Sequence, residues 1–280
     1  MTEPGKRGER IQKVLARAGH GSRRQIESWI KDGRLTVNGQ LASPGDSLAG
    51  DERVCLDNKQ LRFDLDIPPR VIAYHKPAGE LCSRSDPEGR PTIFDHLPRL
   101  KQGRWVQVGR LDFNTSGLLL LTTDGELANR LMHPSAGIER EYAVRVLGEV
   151  EQDMLNNMRQ GVMLEDGMAA FSRIKDAGGS GANHWYHVII KEGRKHEVKR
   201  LWGSQGLTVS RLKRIRYGNI VLTARLAQQR WRDLEDAELA ALMHLAGMKK
   251  TQTSKVVTTA PAARRAATRQ SRRRLKQRKT

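Results

Sequence analysis

The sequence predicts an α+β protein, with a small helical module at the N-terminus followed by a larger domain on a mixed β-sheet with flanking helices. Three observations carry this. Helical spacing of apolar residues is confined to short stretches between turn residues. From about residue 70 strand-like apolar segments dominate, and they follow one another too often for a regular βαβ repeat. No internal repeat of solenoid length is visible. The 280 residues, 38% of them hydrophobic, can build one large core or two ordinary ones.

Taken in order, residues 1–8 read as a flexible start and residues 9–60 as the small module. Ile11, Val14, Leu15 and Ala18 fall on one helical face, and Gly19 and Gly21 end that helix. Ser22 with Gln25 forms a capping-box pattern for a second helix, whose apolar face is Ile26, Trp29 and Ile30 and whose stop is Gly33. Asn38-Gly39 signals a type I′ hairpin, and a further strand is expected around Arg53–Leu56. Residues 61–69 read as a linker stiffened by Pro68-Pro69.

Residues 70–248 form the larger domain. VIAYHKP, WVQVGRL, GLLLLTT, REYAVRVLG, AAFSRIK, WYHVIIKEG and SRLKRIRYGNIVL read as strands. ELANRLMHP, VEQDMLNNMRQG, RKHEVKRLWGSQG and LEDAELAALMHLAG read as helices. Residues 249–280 are rich in Lys, Arg, Ala and Thr and are expected to be a disordered, RNA-seeking or solubilising tail.

Charge narrows the partner. The formal net charge is +19, from 50 Lys and Arg against 31 Asp and Glu. The tail exaggerates the surplus but does not create it: without its basic residues the body remains positive. A polyanion is the expected partner, because each neutralised phosphate releases counterions. Arg10, Lys13, Arg17, Arg23, Arg24, Lys31 and Arg34 decorate the small module and are candidate phosphate contacts. Arg214 and Arg216 alternate along a strand and are further candidates, although solvated strand charges would look the same.

Two cysteines, Cys55 and Cys82, can neither complete a four-thiolate metal site nor staple a domain of this size. His184 and His187 fall on opposite faces of a strand, so no metal is expected there. No apolar run approaches the roughly 18–20 residues of a membrane span, and MTEPGKRGER lacks the apolar stretch of a signal peptide. A cytoplasmic protein without a membrane association is expected.

The most informative segment is VQVGRLDFNTSGLLLLTTDGEL, residues 106–127. A strand ends at Gly109-Arg110-Leu111, Asp112 opens a polar turn, and a four-leucine run follows. By itself, an Asp there is ordinarily structural, accepting hydrogen bonds from its own backbone.

GRLDFNTSGLLLLTTDG, however, resembles the catalytic motif of the RsuA-type ribosomal RNA pseudouridine synthases. HKPAGELCSRSDPEGRPTIFDHLP, EREYAVRV and EGRKHEVKRLW resemble three further motifs of that family, in the right order. Residues Glu9 to about Leu56 resemble the S4-type RNA-binding domain. The resemblance covers about residues 9–248. It implies an isomerase that turns a specific uridine into pseudouridine, by base flipping and by breaking and re-forming the glycosidic bond. Asp112 would be the catalytic carboxylate, Tyr142 the stacking partner of the target base, and Lys199 the basic partner of Asp112, standing where many relatives carry Arg. Arg110 would hold phosphate or orient the flipped nucleotide. The closer likeness is to members acting on the large subunit, which implies 23S ribosomal RNA, as a stem-loop or within an assembling subunit. The reaction neither gains nor loses atoms, so no cofactor is expected; a monomer is the default. A non-catalytic RNA-binding or assembly protein and a DNA-binding protein are the alternatives.

Overall fold

The computed structural model describes residues 8–65, 68–180 and 183–248. The expected tail 249–280, nearly all of the expected flexible start 1–8 and part of the linker lie outside the described residues.

The small module folds as its local signals direct. Helix α1 (Ile11–Ala18) buries Ile11, Val14 and Leu15, and Gly19 closes it in the left-handed conformation. Helix α2 (Arg23–Lys31) starts at the capping box: Gln25 N donates to Ser22 Oγ at 3.1 Å, and Ser22 N donates back to Gln25 Oε1. Strands β1 (Leu35–Val37) and β2 (Gln40–Leu41) are joined by Asn38-Gly39 with φ of 51° and 85°, as a type I′ turn requires. Strands β3 (Val54–Leu56) and β4 (Lys59–Leu61) complete a sheet of order β2-β1-β3-β4 over a core of its own.

The larger domain is a nine-stranded mixed sheet. Its strands include β5 (Val71–Lys76), β6 (Val106–Val108), β7 (Ser116–Thr122), β8 (Arg140–Leu147) and, after the small hairpin β9 (Val162–Leu164) and β10 (Gly167–Ala169), β11 (Arg173–Ser180), β12 (Asn183–Ile190), β13 (Thr208–Tyr217) and β14 (Trp231–Asp233). The main path runs β11-β12-β8-β13-β7-β5-β14. Among the described strands of this sheet only β13 against β7 is parallel, with Arg214 opposite Gly117. Because side chains alternate along a strand, the leucine run of β7 serves two cores. Leu119 and Leu121 join Tyr142, Val144 and Trp202 on one face, while Leu118 and Leu120 join Tyr217 on the other. Helices α3 (Gly125–Met132) and α6 (Asp236–Leu245) cover the second face, and α4 (Gln152–Gln160) and α5 (Glu197–Gly203) pack on the first.

All four helices of the larger domain appear where periodicity placed them. The strand read at AAFSRIK is different: Ala169 ends β10, and β11 starts only at Arg173. The edge strand β14, antiparallel to β5, is too short for alternation to reveal it. The fifth helix starts at Glu197 rather than Arg194, because His196 takes a left-handed φ of 52°. The small module touches the larger domain through Gly103 N donating to Ala18 O at 3.1 Å and through Lys13 with Glu126 at 3.5 Å.

Gly117 is where the backbone has least freedom. Its φ is +117°, and an added Cβ would lie 2.2 Å from Arg214 O. Both strain and collision oppose a side chain, each costing about 1–3 kcal/mol. Gly117→Ala should therefore lower stability by about 2–6 kcal/mol in chemical denaturation; a loss below 1 kcal/mol would contradict this close approach of β7 and β13.

Candidate active site

Residues between β6 and β7 form the site's floor. Gly109 has φ +73°, turning the chain as β6 ends. Asp112 then begins a tight turn closed by Thr115 N donating to Asp112 O at 3.0 Å. The turn is held from beneath by Lys76, at the end of β5. Its fully buried ammonium donates to the carbonyls of Pro77 at 2.9 Å, Asp112 at 3.1 Å, Phe113 at 3.4 Å and Thr115 at 3.0 Å. Burial pushes this lysine's pKa below its ordinary value, opposed by Cys82, Glu80 and Asp112. Converging carbonyl dipoles stabilise the ammonium where water cannot. The carboxylate of Asp112, with its backbone fixed in this way, remains partly exposed above.

The cleft over Asp112 has a volume of about 610 Å³. It is lined by Arg110, Asp112, Thr115, Tyr142, Arg214 and the segment 192–198, among others. That is the size range of small-molecule sites, about 300–1,000 Å³. Tyr142 reaches it from β8 and is only 9% exposed. Arg110 is exposed at the mouth and, among the described residues, has no acidic partner.

The third wall is the 192–197 turn, organised by Arg194. Its backbone N and its Nε bond the Glu197 carboxylate at 2.9 and 3.1 Å, and its guanidinium also reaches Glu192 and Asp166. Burial raises the pKa of Glu197, with the Arg194 backbone and charge opposing it. This clamp presents His196, whose Nε2 lies 3.4 Å from Asp112 Oδ1.

Arg214, expected as an RNA-backbone contact on an exposed strand face, is instead buried beneath the cleft. It is 2% exposed, with Nε donating to Leu118 O at 2.8 Å and its guanidinium over the Tyr217 ring. One guanidinium nitrogen, together with Thr115 Oγ1, is buried without a hydrogen-bond partner among the described residues, and both residues line the cleft. Arg216 is also corrected: Glu141 and Glu139 engage it at 2.8 and 3.0 Å, leaving it neutralised.

Lys199, expected as the basic partner of Asp112, stands apart from the carboxylate in this structure. Among the described residues it forms no ion pair with Asp112 and does not line the cleft. The left-handed turn at His196 swings the imidazole, rather than the lysine three residues on, toward the carboxylate.

In the small module, Lys13 and Arg17 pair with Glu9, and Arg34 pairs with Asp57, so these three are partly committed. Arg10, Arg23, Arg24 and Lys31 are exposed with no acidic partner among the described residues. Reading from sequence missed Lys76, Arg194 and His196. Lys76 stood in an apolar strand pattern, where its burial had no signal; the other two belonged to a motif whose roles were assigned to Lys199 alone.

A family model described as RNA pseudouridylate synthase matches residues 70–202, and an S4 domain model matches residues 9–54. Three similar proteins bear the name ribosomal large subunit pseudouridine synthase B. The one from Pseudomonas aeruginosa is 56% identical over 86% of this chain and 64% of its own length. The chain thus spans less than two thirds of that relative. The one from Vibrio cholerae is 52% identical over 91% of this chain and 80% of its own. The one from Escherichia coli O6:H1 is 53% identical over 89% and 87%. A crystal structure of a pseudouridylate synthase superposes with a TM-score of 0.59 at 26% identity, over 84% of this chain and 99% of that one.

Lys76→Met keeps the unbranched stem as far as Cε and removes the ammonium from four carbonyls. Breaking such a buried charged network costs about 3–5 kcal/mol. The variant should show that loss in chemical denaturation and sharply reduced turnover after refolding controls; full stability and full turnover together would contradict the role given to this ammonium.

Proposed function

The chain belongs to the ribosomal large-subunit pseudouridine synthases, enzymes that isomerise uridine to pseudouridine in ribosomal RNA, and we propose that Asp112 is its catalytic carboxylate and a uridine of 23S ribosomal RNA its substrate. The observation that carries the assignment is the single carboxylate on a clamped turn, open to a cleft that also receives Tyr142.

The chemistry fits one carboxylate. The bond from uracil N1 to ribose C1′ breaks, C5 bonds to C1′ instead, and overall one proton leaves C5 while one is gained at N1. Nothing is oxidised or reduced. A glycoside hydrolase ordinarily uses two carboxyl groups flanking the bond; in this cleft Glu192 and Glu197 are tied to Arg194, whereas the side chain of Asp112 meets only His196 among the described residues. An ionised Asp112 serves as nucleophile at C1′ or as base toward the sugar.

A base within a stem is out of reach and must be flipped, at a few kcal/mol. Stacking on Tyr142 offsets part of this, at about 1–3 kcal/mol per base. Arg110 at the mouth holds a flanking phosphate. Inside, the unpaired nitrogen of Arg214 and Thr115 Oγ1 offer polar contacts to the flipped nucleotide, which would relieve their own burial cost of about 1–3 kcal/mol each. The family resemblance makes Lys199 the basic partner of Asp112, while the side chain placed against the carboxylate is His196, with Nε2 3.4 Å from Oδ1. Arg10, Arg23, Arg24 and Lys31 anchor the RNA, and the protein acts as a cytoplasmic monomer.

Mapping pseudouridines in 23S ribosomal RNA after incubation with the purified protein tests this reading. The wild type should create one new site, and Asp112→Asn should lose about 10³-fold or more in rate, roughly 4 kcal/mol of barrier, while still binding RNA. Pseudouridine formed equally by Asp112→Asn would end the assignment. His196→Gln and Lys199→Met separate the two side chains: the residue that serves Asp112 should lower kcat at saturating RNA by about 10–100-fold, about 1.4–2.7 kcal/mol, and the other should leave kcat unchanged.

A further inference from the structure

The four strands β11, β12, β8 and β13 have one face in the first core and, apart from Tyr217 at the end of β13, which joins the second core, an outer face that belongs to neither. The register lays that outer face out in rows. Lys213, Ala143, His187 and Lys175 run across all four strands. Arg211, Arg145 and Trp185 form the next row, and on the other side Arg216, Glu141, Ile189 and Arg173 form a third. A concavity of about 630 Å³ opens beside them and includes Lys191.

The charge on this face is unbalanced. Arg216 is neutralised by Glu139 and Glu141, and His187 lies 3.7 Å from Glu141. Arg145, Arg173, Lys175, Lys191, Arg211 and Lys213 have no acidic partner among the described residues. Arg145 and Arg211 stand directly opposite each other on neighbouring strands. Like charges at that position destabilise a sheet, whereas a merely solvated face is normally laced with both signs. A polyanion lying across the rows relieves the repulsion. Trp185, half-buried beside Arg145, adds an indole to the cationic surface, the combination that grips single-stranded or looped nucleic acid.

This face is separate from the catalytic cleft. Tyr142 enters the cleft, and its neighbours Glu141 and Ala143 necessarily point to the other side of β8. We infer that the outer face binds the phosphates of a second RNA segment, so that the substrate is held on both sides of the sheet. This rests on reading the chain as an RNA-modifying enzyme. It makes a long ribosomal RNA, rather than a hairpin that fills only the cleft, the preferred substrate.

The test compares the full chain with the triple variant Lys175→Gln, Arg211→Gln, Lys213→Gln, measuring Kd for 23S ribosomal RNA transcript across salt concentrations and pseudouridine formed at saturating RNA. With three phosphate contacts removed, the slope of log affinity against log salt should fall by about 2–3. Affinity at physiological salt should weaken about tenfold or more, with kcat unchanged. The charge-preserving triple Lys175→Arg, Arg211→Lys, Lys213→Arg should keep both slope and affinity. An unchanged slope in the glutamine variant, or an equal loss in the charge-preserving one, would overturn the inference. If the wild type makes no pseudouridine yet the slope falls, the catalytic reading fails and this surface stands.

Discussion

A buried ammonium governs the site. Lys76 ends β5 with its charged group inside the protein, where only backbone carbonyls can solvate it. Those carbonyls belong to its own neighbour Pro77 and to the turn carrying Asp112, so stabilising the cation and shaping the turn are the same event. A charged group is expensive to bury unless its hydrogen bonds are met, and that expense is what makes the turn geometry specific. The adjacent constraint is steric: Gly117 admits the backbone of Arg214 where no side chain would fit. Together they bring the end of β5, the start of β7 and the Arg214 stretch of β13 to one point, with the carboxylate above it.

The same sheet divides its labour by alternation. On β8, Tyr142 serves the cleft and the core, while Glu141, Ala143 and Arg145 face outward. On β13, Arg214 goes inward with its Nε tied to Leu118, while Arg211 and Lys213 join the outer rows. Neighbouring cations on one strand therefore have opposite fates, one as a buried part of the site and the others as an uncommitted basic surface. Among the described residues the positive charge is not a uniform coat: Lys13, Arg17, Arg34 and Arg216 are taken up by ion pairs while their neighbours are not.

Much of this was legible in the sequence because its causes are local. The Ser22 capping box, the Asn38-Gly39 turn and the helical stripe of Ile11, Val14 and Leu15 need only neighbours in sequence to form. The Asp112 motif was found through resemblance, since an aspartate in a polar turn carries no local mark of catalysis. What stayed hidden depends on distant partners. The burial of Lys76 follows from a turn 36 residues away, and that of Arg214 from Leu118, 96 residues away. Lys199 illustrates a different limit. The motif resemblance pointed to Lys199, whereas the side chain that meets the carboxylate is that of the left-handed residue His196.

The most direct test of the central claim is a structure of the chain bound to its RNA with the target uridine intact. The account predicts a flipped uridine stacked on Tyr142, with the Asp112 carboxylate about 3–3.5 Å from the reacting ribose, the separation of a near-attack arrangement, and the Lys76 contacts to the turn unchanged. A uridine still stacked in its helix, or one flipped into a pocket that Asp112 does not reach, would contradict it.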